Sequence, residues 1–198
     1  MNTNHTAKYI SHYPAVTGEA RIIASGGVIA YPTEAVWGLG CDPFNPRAVN
    51  KILALKQRSV AKGLILAAAD IGQLEPFLTN ISAEQRQQLE TSWPGPVTWL
   101  VPNNGLIPHW ISGDFSSVAL RVSDHPYVQQ LCRAYGGPIV STSANPQGKP
   151  APKHRWQVCR YFNQLGNDGL LDRVVKGAVG KRLEPSQIRD IVTGDVLR

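Results

Sequence analysis

Short apolar runs alternate with segments of helical spacing along most of this chain, and this alternation constrains the fold more than any other feature. Each run has the length of a buried strand and is bounded by proline, glycine or polar residues. The predicted strands cover residues 28–31, 64–68, 97–101, 118–122 and 139–142, with shorter ones near 174–175 and 188–192. Strands that alternate with helices favour an α/β fold with an open, twisted mixed sheet flanked by helices.

Caps and apolar spacing predict the helices. Asn45 and Pro46 are typical of an N-cap and a first helical residue, and the helix that they begin delivers Lys56 at its end. Ser82 and Gln85 have the spacing of a capping box. The other predicted helices cover residues 19–25, 82–92 and 125–135.

The composition is typical of one globular domain. The chain has 198 residues and fits a single catalytic domain over residues 1–198, with its motifs between about 15 and 198. No apolar run approaches the ~18 residues of a membrane span, and the N-terminus lacks an apolar signal core. The three cysteines and five histidines show neither disulfide nor metal spacing. We therefore expect a cytoplasmic protein with reduced thiols, no membrane contact and no metal-binding residues.

The charge is basic without being concentrated in one stretch. Twenty lysines and arginines against 14 aspartates and glutamates give a net charge of +6. Such a charge favours anionic partners, namely nucleotide phosphates, RNA or an acidic protein surface. Because the cations are spread along the chain, only folding could bring them together in one site.

Four polar segments follow or interrupt the predicted strands, where open α/β sheets place their ligands. In the first, residues 31–40, Pro32 turns the chain off its strand, although a simple strand end explains it as well. In the second, Lys56, Arg58 and Lys62 follow a helix. Cations at a helix C-terminus are favoured by the dipole, but three together repel one another unless an anion, such as a polyphosphate, joins them.

The third segment is the apolar strand that Arg121 interrupts. An arginine in such a run is costly to bury without a carboxylate or phosphate partner. Asp124 is one candidate, but on an extended strand residues three apart point to opposite faces. A ligand carboxylate is the better candidate, so we expect Arg121→Met to weaken ligand binding and to leave thermal stability largely intact.

The fourth segment contains Ser141, Ser143 and Asn145 after an apolar strand. Hydroxyls and an amide suit a ribose, an amino acid or phosphate oxygens, although a capped turn has the same composition. The P-loop and GxGxxG patterns are absent from the sequence. The four segments together favour a small-molecule site built by several strand ends.

These segments resemble the threonylcarbamoyl-AMP synthase family, the YrdC-like proteins, in its short form without an extra C-terminal domain. The pairing of Lys56-x-Arg58 with Ser143-x-Asn145 is more specific than either half. The other matching stretches are residues 31–34, Lys62, and residues 93–98, 119–122 and 185–190. The resemblance runs from about residue 27 to the C-terminus and implies a YrdC-like fold around a deep, positively charged cavity.

The resemblance also implies an activity and the residues that perform it. Members join L-threonine, bicarbonate or CO2, and ATP into threonylcarbamoyl-adenylate and pyrophosphate, the first step towards the tRNA modification threonylcarbamoyladenosine. The residues implied for catalysis are Lys56, Arg58, Ser143 and Asn145, which would also grip ATP with Ser117 and Arg198. Those implied for threonine are Thr33, Lys62, Arg121, Ser141 and Ser186. Mg²⁺ would be held mainly through the ATP phosphates, and the product would pass to the downstream tRNA threonylcarbamoyl-transfer proteins.

The chain departs from the family pattern in its loops. Ser59 and Gly63 stand where proline is frequent, and residues 146–148 read Pro-Gln-Gly where Leu-Ser-Gly is more usual. A competing interpretation is a module that binds double-stranded RNA or the ribosome, since the chain is basic and shows no obvious general base. Weak RNA or tRNA binding is compatible with either function, and it would fall steeply with salt.

Overall fold

The computed structural model describes residues 16–163 and 169–197. These residues form one eight-stranded sheet with helices packed against it. The strands are β1 (Ile29–Pro32), β2 (Trp37–Gly40), β3 (Ile65–Ala68), β4 (Val97–Pro102), β5 (Ser117–Val122), β6 (Ile139–Ser143), β7 (Arg173–Val174) and β8 (Gln187–Asp190). The α-helices are α1 (Thr17–Ala24), α2 (Pro46–Lys56), α3 (Ala83–Ser92), α4 (His109–Ser112), α5 (Pro126–Tyr135) and α6 (Arg155–Asn163). Short 3-10 helices lie at Val60–Lys62 and Ile71–Phe77.

The sheet is mixed, as predicted. Its strand order is β7-β1-β2-β6-β3-β5-β4-β8. Strand pairs β7/β1, β3/β5 and β4/β8 are parallel, and the other neighbouring pairs are antiparallel. This order places β2, β6, β3 and β5 side by side, so the four polar segments predicted from the sequence come from adjacent strands or from the turns beside them.

The predicted helix starts are confirmed at two positions. The Asn45 side chain accepts hydrogen bonds from the backbone N–H groups of Arg47 and Ala48, at 3.1 and 3.2 Å. Ser82 and Gln85 form the predicted capping box of α3. The apolar face of α2 is buried against the sheet, which places Lys56 inside the protein.

Strand β2 and helix α6 were not predicted from the sequence. Strand β2 has two glycines in four residues, which is unusual for a strand. Packing requires Gly40, because a Cβ there would lie 2.6 Å from the ring of Tyr31 and 2.9 Å from the carbonyl oxygen of Val140. Helix α6 buries Val158 and Phe162, which are too few apolar residues to give a clear helical pattern.

The core is one cluster of apolar side chains between the sheet and its helices. Trp37, Tyr31 and Phe162 are its largest fully buried members. Cys41 and Cys132 are buried there, and burial raises the pKa of each thiol above its ordinary value, so both stay protonated. Within the described ranges, none of the helices combines the length and the apolar character needed to cross a membrane.

Candidate functional site

A cavity of about 530 Å³ opens beside the central strands. Small-molecule sites commonly have volumes of ~300–1,000 Å³. The cavity brings together residues from all four polar segments and from the loop before β8. The predicted site residues in its lining are Thr33, Arg58, Lys62, Ser117, Arg121, Ser141, Ser143, Asn145 and Ser186. The two other predicted ATP contacts are Lys56 and Arg198, and Arg198 lies outside the described residues.

Arg58 enters the cavity wall from the turn that ends α2. Gln57 adopts a left-handed conformation, with φ of 51°, which redirects the chain after the helix. The Nη2 group of Arg58 donates to the carbonyl oxygens of Lys62 and Gly63, at 3.0 and 3.1 Å. Its Nε is buried without a hydrogen-bond partner in the part of the chain that the structure describes. The guanidinium is therefore fixed on one side by two carbonyl groups, and Arg58 contributes to the cavity lining.

Lys56 does not line the cavity and lies behind its wall. Its side chain is 4% exposed. The ammonium group donates to the carbonyl oxygens of Ser143 and of Asn145, the latter at 3.0 Å. Burial and the neighbouring charge of Arg58 lower the pKa of Lys56 to about 8. Lys56 therefore ties the end of α2 to the segment that follows β6.

The segment after β6 presents hydroxyl and amide groups. Tyr31 donates from its hydroxyl to Ser141 Oγ at 2.9 Å. Asn145 donates from Nδ2 to the carbonyl oxygen of Lys149 at 2.6 Å, and its Oδ1 is buried without a partner among the described residues. Lys62 reaches across from the second segment and donates to Gln147 Oε1 at 3.1 Å. The second and fourth segments thus form one continuous wall.

Arg121 has a carboxylate partner within the protein, Glu34, which the sequence analysis did not consider, and its expected contact with a ligand carboxylate stays a prediction. Its Nη2 lies 2.8 Å from Glu34 Oε1, and the two side chains are 13% and 7% exposed. Asp124, the other candidate, makes its ion pair with Arg182 instead. Glu34 lies in the turn between β1 and β2, and a contact at this sequence distance cannot be recognised from the alternation along one strand.

Three hydroxyls predicted to contact threonine or ATP also line the cavity. Thr33 donates to the carbonyl oxygen of Val36 at 2.7 Å. Ser186 Oγ lies 2.8 Å from Thr98 Oγ1. Ser117 begins β5 at the cavity edge. A hydroxyl has one donor and two acceptor positions, so bonds of this kind leave capacity for a ligand at Thr33.

The lining contains charges of both signs and extensive apolar surface. Its cations are Arg58, Lys62 and Arg121, and its carboxylates are Glu34 and Glu184. The predicted depth and positive character of the cavity stay predictions. Sequence reasoning missed the apolar residues of the wall, which include Ile111, Phe115, Ile188 and Leu197. Glu34 lies in the matching stretch 31–34, and the sequence analysis assigned it no role.

The described residues offer no group of three or more histidine, cysteine, aspartate or glutamate side chains that could hold a metal ion. Of the two carboxylates in the cavity lining, Glu34 is paired with Arg121. A divalent cation in this site would therefore depend on ligands from its anionic substrate and from water.

The fold and the cavity define a class of protein: an α/β protein with a small-molecule site assembled from strand ends and connecting turns. The profile of the Sua5/YciO/YrdC family, described as telomere recombination, matches residues 21–198. The chain belongs to this family.

Two threonylcarbamoyl-AMP synthases are similar to most of this chain. A threonylcarbamoyl-AMP synthase of Cellvibrio japonicus is 59% identical over 185 residues, which cover 93% of this chain and 95% of the relative. A protein of the same name from Pseudomonas aeruginosa (strain UCBPP-PA14) is 53% identical over 179 residues, which cover 90% of this chain and 94% of the relative.

Solved structures share the fold. P. abyssi Sua5 complexed with L-threonine superposes with a TM-score of 0.82 at 30% identity, covering 91% of this chain and 52% of the longer Sua5 chain. E. coli YciO gives a TM-score of 0.79 at 22% identity, covering 94% of this chain and 89% of that chain, and therefore supports the fold alone.

Proposed function

We propose that this protein is a threonylcarbamoyl-AMP synthase acting as a single catalytic domain in the cytoplasm. It joins L-threonine, bicarbonate or CO2, and ATP into threonylcarbamoyl-adenylate and pyrophosphate. Two relatives of that name are 59% and 53% identical to it. The observation that carries the proposal is the cavity that gathers Arg58, Lys62 and Arg121 with hydroxyls from several strands.

The reaction requires positioning more than covalent help. The threonine amine bonds to the carbon of CO2 and loses a proton, giving a carbamate. A carbamate oxygen then bonds to the α-phosphorus of ATP, and the bond to the bridging oxygen breaks to release pyrophosphate. Both reactants are anions, so fixed positive charge and preorganised donors lower the barrier. A cavity that excludes water also protects the carbamate.

The ATP end of the site lies between the second and fourth segments. Arg58, Ser143, Asn145 and Ser117 face the nucleotide, and the planar guanidinium of Arg58 in the cavity lining suits phosphate oxygens. Lys56 acts from behind by holding the carbonyl groups of Ser143 and Asn145. Arg198, which lies outside the described residues, is proposed as a further ATP contact.

The threonine end lies between the turn after β1 and the strands β5 and β6. Arg121 and Lys62 face the carboxylate and the carbamate. Thr33, Ser141 and Ser186 surround the side chain and offer partners for its hydroxyl. Mg²⁺ bound with ATP would neutralise charge on the phosphates, and it would depend on the phosphates and water for most of its ligands.

The direct test is incubation with ATP, labelled bicarbonate and threonine, with pyrophosphate release and the mass of the adenylate as readouts. Release should require all three substrates. Arg58→Ala should slow it by one to several orders of magnitude, because one preorganised contact in such a site is worth roughly 3 kcal/mol. Pyrophosphate release by the wild type that does not depend on threonine would refute the proposal.

A basic surface beside the cavity favours RNA binding as a second activity, compatible with delivery of the product to tRNA threonylcarbamoyl-transfer proteins. Residues 149–163 contain no aspartate or glutamate. Trp156 is 60% exposed, with its ring stacked on His154 at 6.3 Å. Arg155 donates to the carbonyl oxygen of Val175 at 3.1 Å, which joins this segment to the basic residues 176–182. Exposed cations with an exposed aromatic ring suit RNA phosphates and unstacked bases.

A titration of fluorescent tRNA at two salt concentrations tests this second activity. Lys153→Glu with Lys176→Glu should weaken binding and reduce its salt dependence, since each lost phosphate contact lowers the slope. The matched control is Arg21→Glu with Arg47→Glu, which changes two exposed cations in helices α1 and α2. Equal tRNA binding by both double variants would remove this surface from RNA recognition and leave the synthase proposal intact.

A further inference from the structure

We infer that Glu34, held in place by Ser123, is a positioning residue that orients Arg121 towards the carboxylate of the amino-acid substrate. The inference rests on the proposed function and extends it to two residues that the family motifs leave without a role. Glu34 also lines the cavity, so its position affects the surface that a ligand meets.

The Glu34 side chain is fixed by one hydrogen bond and one ion pair that meet at the same oxygen. Ser123 donates from Oγ to Glu34 Oε1 at 2.6 Å, and Arg121 Nη2 lies 2.8 Å from the same atom. Arg121 is also restrained from the other side, because its Nε donates to the carbonyl oxygen of Gly95 at 3.3 Å. The guanidinium is therefore held from two sides, and Arg121 also lines the cavity.

The backbone of Glu34 is fixed as well. The N–H group of Arg182 donates to the carbonyl oxygen of Glu34 at 3.2 Å, and that of Gly180 donates to the carbonyl oxygen of Thr33 at 2.9 Å. Residues 180–182 thus form a strap across the turn, and Arg182 pairs with Asp124, which follows Ser123 in the chain. Both the main chain and the side chain of Glu34 are held before any ligand arrives.

This arrangement suits recognition of a carboxylate. An arginine binds a carboxylate best when its planar fork is held at the correct angle, since two parallel hydrogen bonds depend on orientation. An arginine on a flexible strand end loses that orientation. A buried acceptor behind the guanidinium supplies it, as partners of a binding group commonly do in preorganised sites.

The test separates a positioning role from a purely structural ion pair. We expect Glu34→Ala to raise the KM for threonine by about tenfold or more, since small misplacements in a preorganised site can cost up to ~10²-fold. The KM for ATP should change little. Glu34→Gln should recover part of the loss, because its amide oxygen can still accept from Ser123 and remain next to the guanidinium of Arg121. In an Arg121→Ala background, Glu34→Ala should add no further loss, since the two act as one unit.

Ser123→Ala provides a second variant if Glu34→Ala fails to fold, because it keeps both charges and removes one restraint. It should raise the threonine KM less than Glu34→Ala. Glu19→Ala is the matched control: Glu19 pairs with Arg173 at 2.9 Å, is 14% exposed at its side chain, and lies outside the cavity lining. It should lower the melting temperature without changing the threonine KM.

Calorimetric titration of the wild type with threonine, in the presence of a non-hydrolysable ATP analogue, is measured first. No threonine binding by the folded wild type would overturn the proposed function and this inference together. Threonine binding that persists unchanged in folded Glu34→Ala and Ser123→Ala, with a lowered melting temperature alone, would overturn only the inference. Additive losses in the double variant would likewise assign Glu34 a role independent of Arg121.

Discussion

Arg121 and Glu34 are opposite charges in the cavity wall, and each is buried enough to depend on the other. Their side chains are 13% and 7% exposed, at a contact of 2.8 Å. Burying a charge costs several kcal/mol unless a partner of opposite sign remains. At the scale of single residues, this pair therefore contributes both to folding and to ligand orientation.

Arg121→Met should accordingly destabilise the protein, in contrast to the expectation drawn from the sequence. Removing the guanidinium leaves the Glu34 carboxylate buried with Ser123 as its remaining side-chain donor. Such an orphaned charge costs roughly 3–5 kcal/mol. Urea unfolding curves provide the measurement. The double variant Arg121→Met with Glu34→Gln should recover much of the loss, and an unchanged unfolding midpoint in Arg121→Met would contradict the prediction.

Lys56 should make the free energy of unfolding depend on pH in the alkaline range. Its pKa is lowered in the folded state to about 8, from an ordinary value of 10.5. Between these values the unfolded chain binds the proton and the folded chain releases it, so this group makes stability rise with pH. Below pH 8 both states are protonated, and the contribution is flat.

Unfolding free energies of the wild type and Lys56→Met, compared from about pH 7 to 10, test this sign. The wild type should gain stability relative to the variant as pH rises through that range. A difference between the two that stays constant would show that Lys56 keeps its proton equally in both states. Comparing the two proteins cancels the contributions of other titrating groups.

At the scale of elements, helix α2 begins after a well-formed N-cap and ends at Lys56, next to the cavity wall. Asn45 caps two N–H groups, and the helix places Lys56 against the segment after β6. Displacing the helix would move both Lys56 and the turn that holds Arg58. The cap therefore stabilises a helix whose C-terminal end and following turn hold two residues proposed to act on ATP, Lys56 and Arg58.

Asn45→Ala should cost about 1 kcal/mol of folding free energy, as loss of an N-cap typically does. Thermal or urea unfolding measures the loss, and Asn45→Ser, which preserves an oxygen acceptor, should retain most of the stability. A full loss in Asn45→Ser as well would indicate that packing of the asparagine, rather than capping, determines the effect.

At the scale of the whole molecule, the proposed recognition of threonine would depend on hydroxyls that three separate parts of the chain supply. Thr33, Ser141 and Ser186 meet only when the sheet is assembled. A pocket that hydrogen-bonds a substrate hydroxyl can reject the analogue lacking it by ~10⁴-fold. Valine has nearly the shape of threonine and lacks that hydroxyl.

Threonine should therefore raise the melting temperature in the presence of an ATP analogue, and valine at equal concentration should not. A ligand that binds the folded state alone increases the free energy of unfolding, and the increase grows with the logarithm of the ligand concentration relative to its Kd. Thermal unfolding with each amino acid measures this, with the analogue alone as the control. Equal shifts with threonine and valine would show that the pocket does not use the hydroxyl.

The sequence by itself predicted much of the local structure and nine of the polar residues that line the cavity. Caps such as Asn45 and Ser82, and apolar runs such as β3 and β5, depend on neighbours within a few residues, so their physical causes can be seen in the chain. The lining residues Arg58, Ser143 and Asn145 were found because polar groups after apolar strands are conspicuous in the sequence.

Only the tertiary structure decided which groups meet. Glu34 and Arg121 are far apart in the chain, and pairing of β1, β2, β6, β3 and β5 brings them into contact. The same folding places Lys56 behind the cavity wall and makes a buried strand of the glycine-rich β2. Contacts between distant segments follow from strand order and side-chain packing. Both are set only when the complete sheet and its helices pack together.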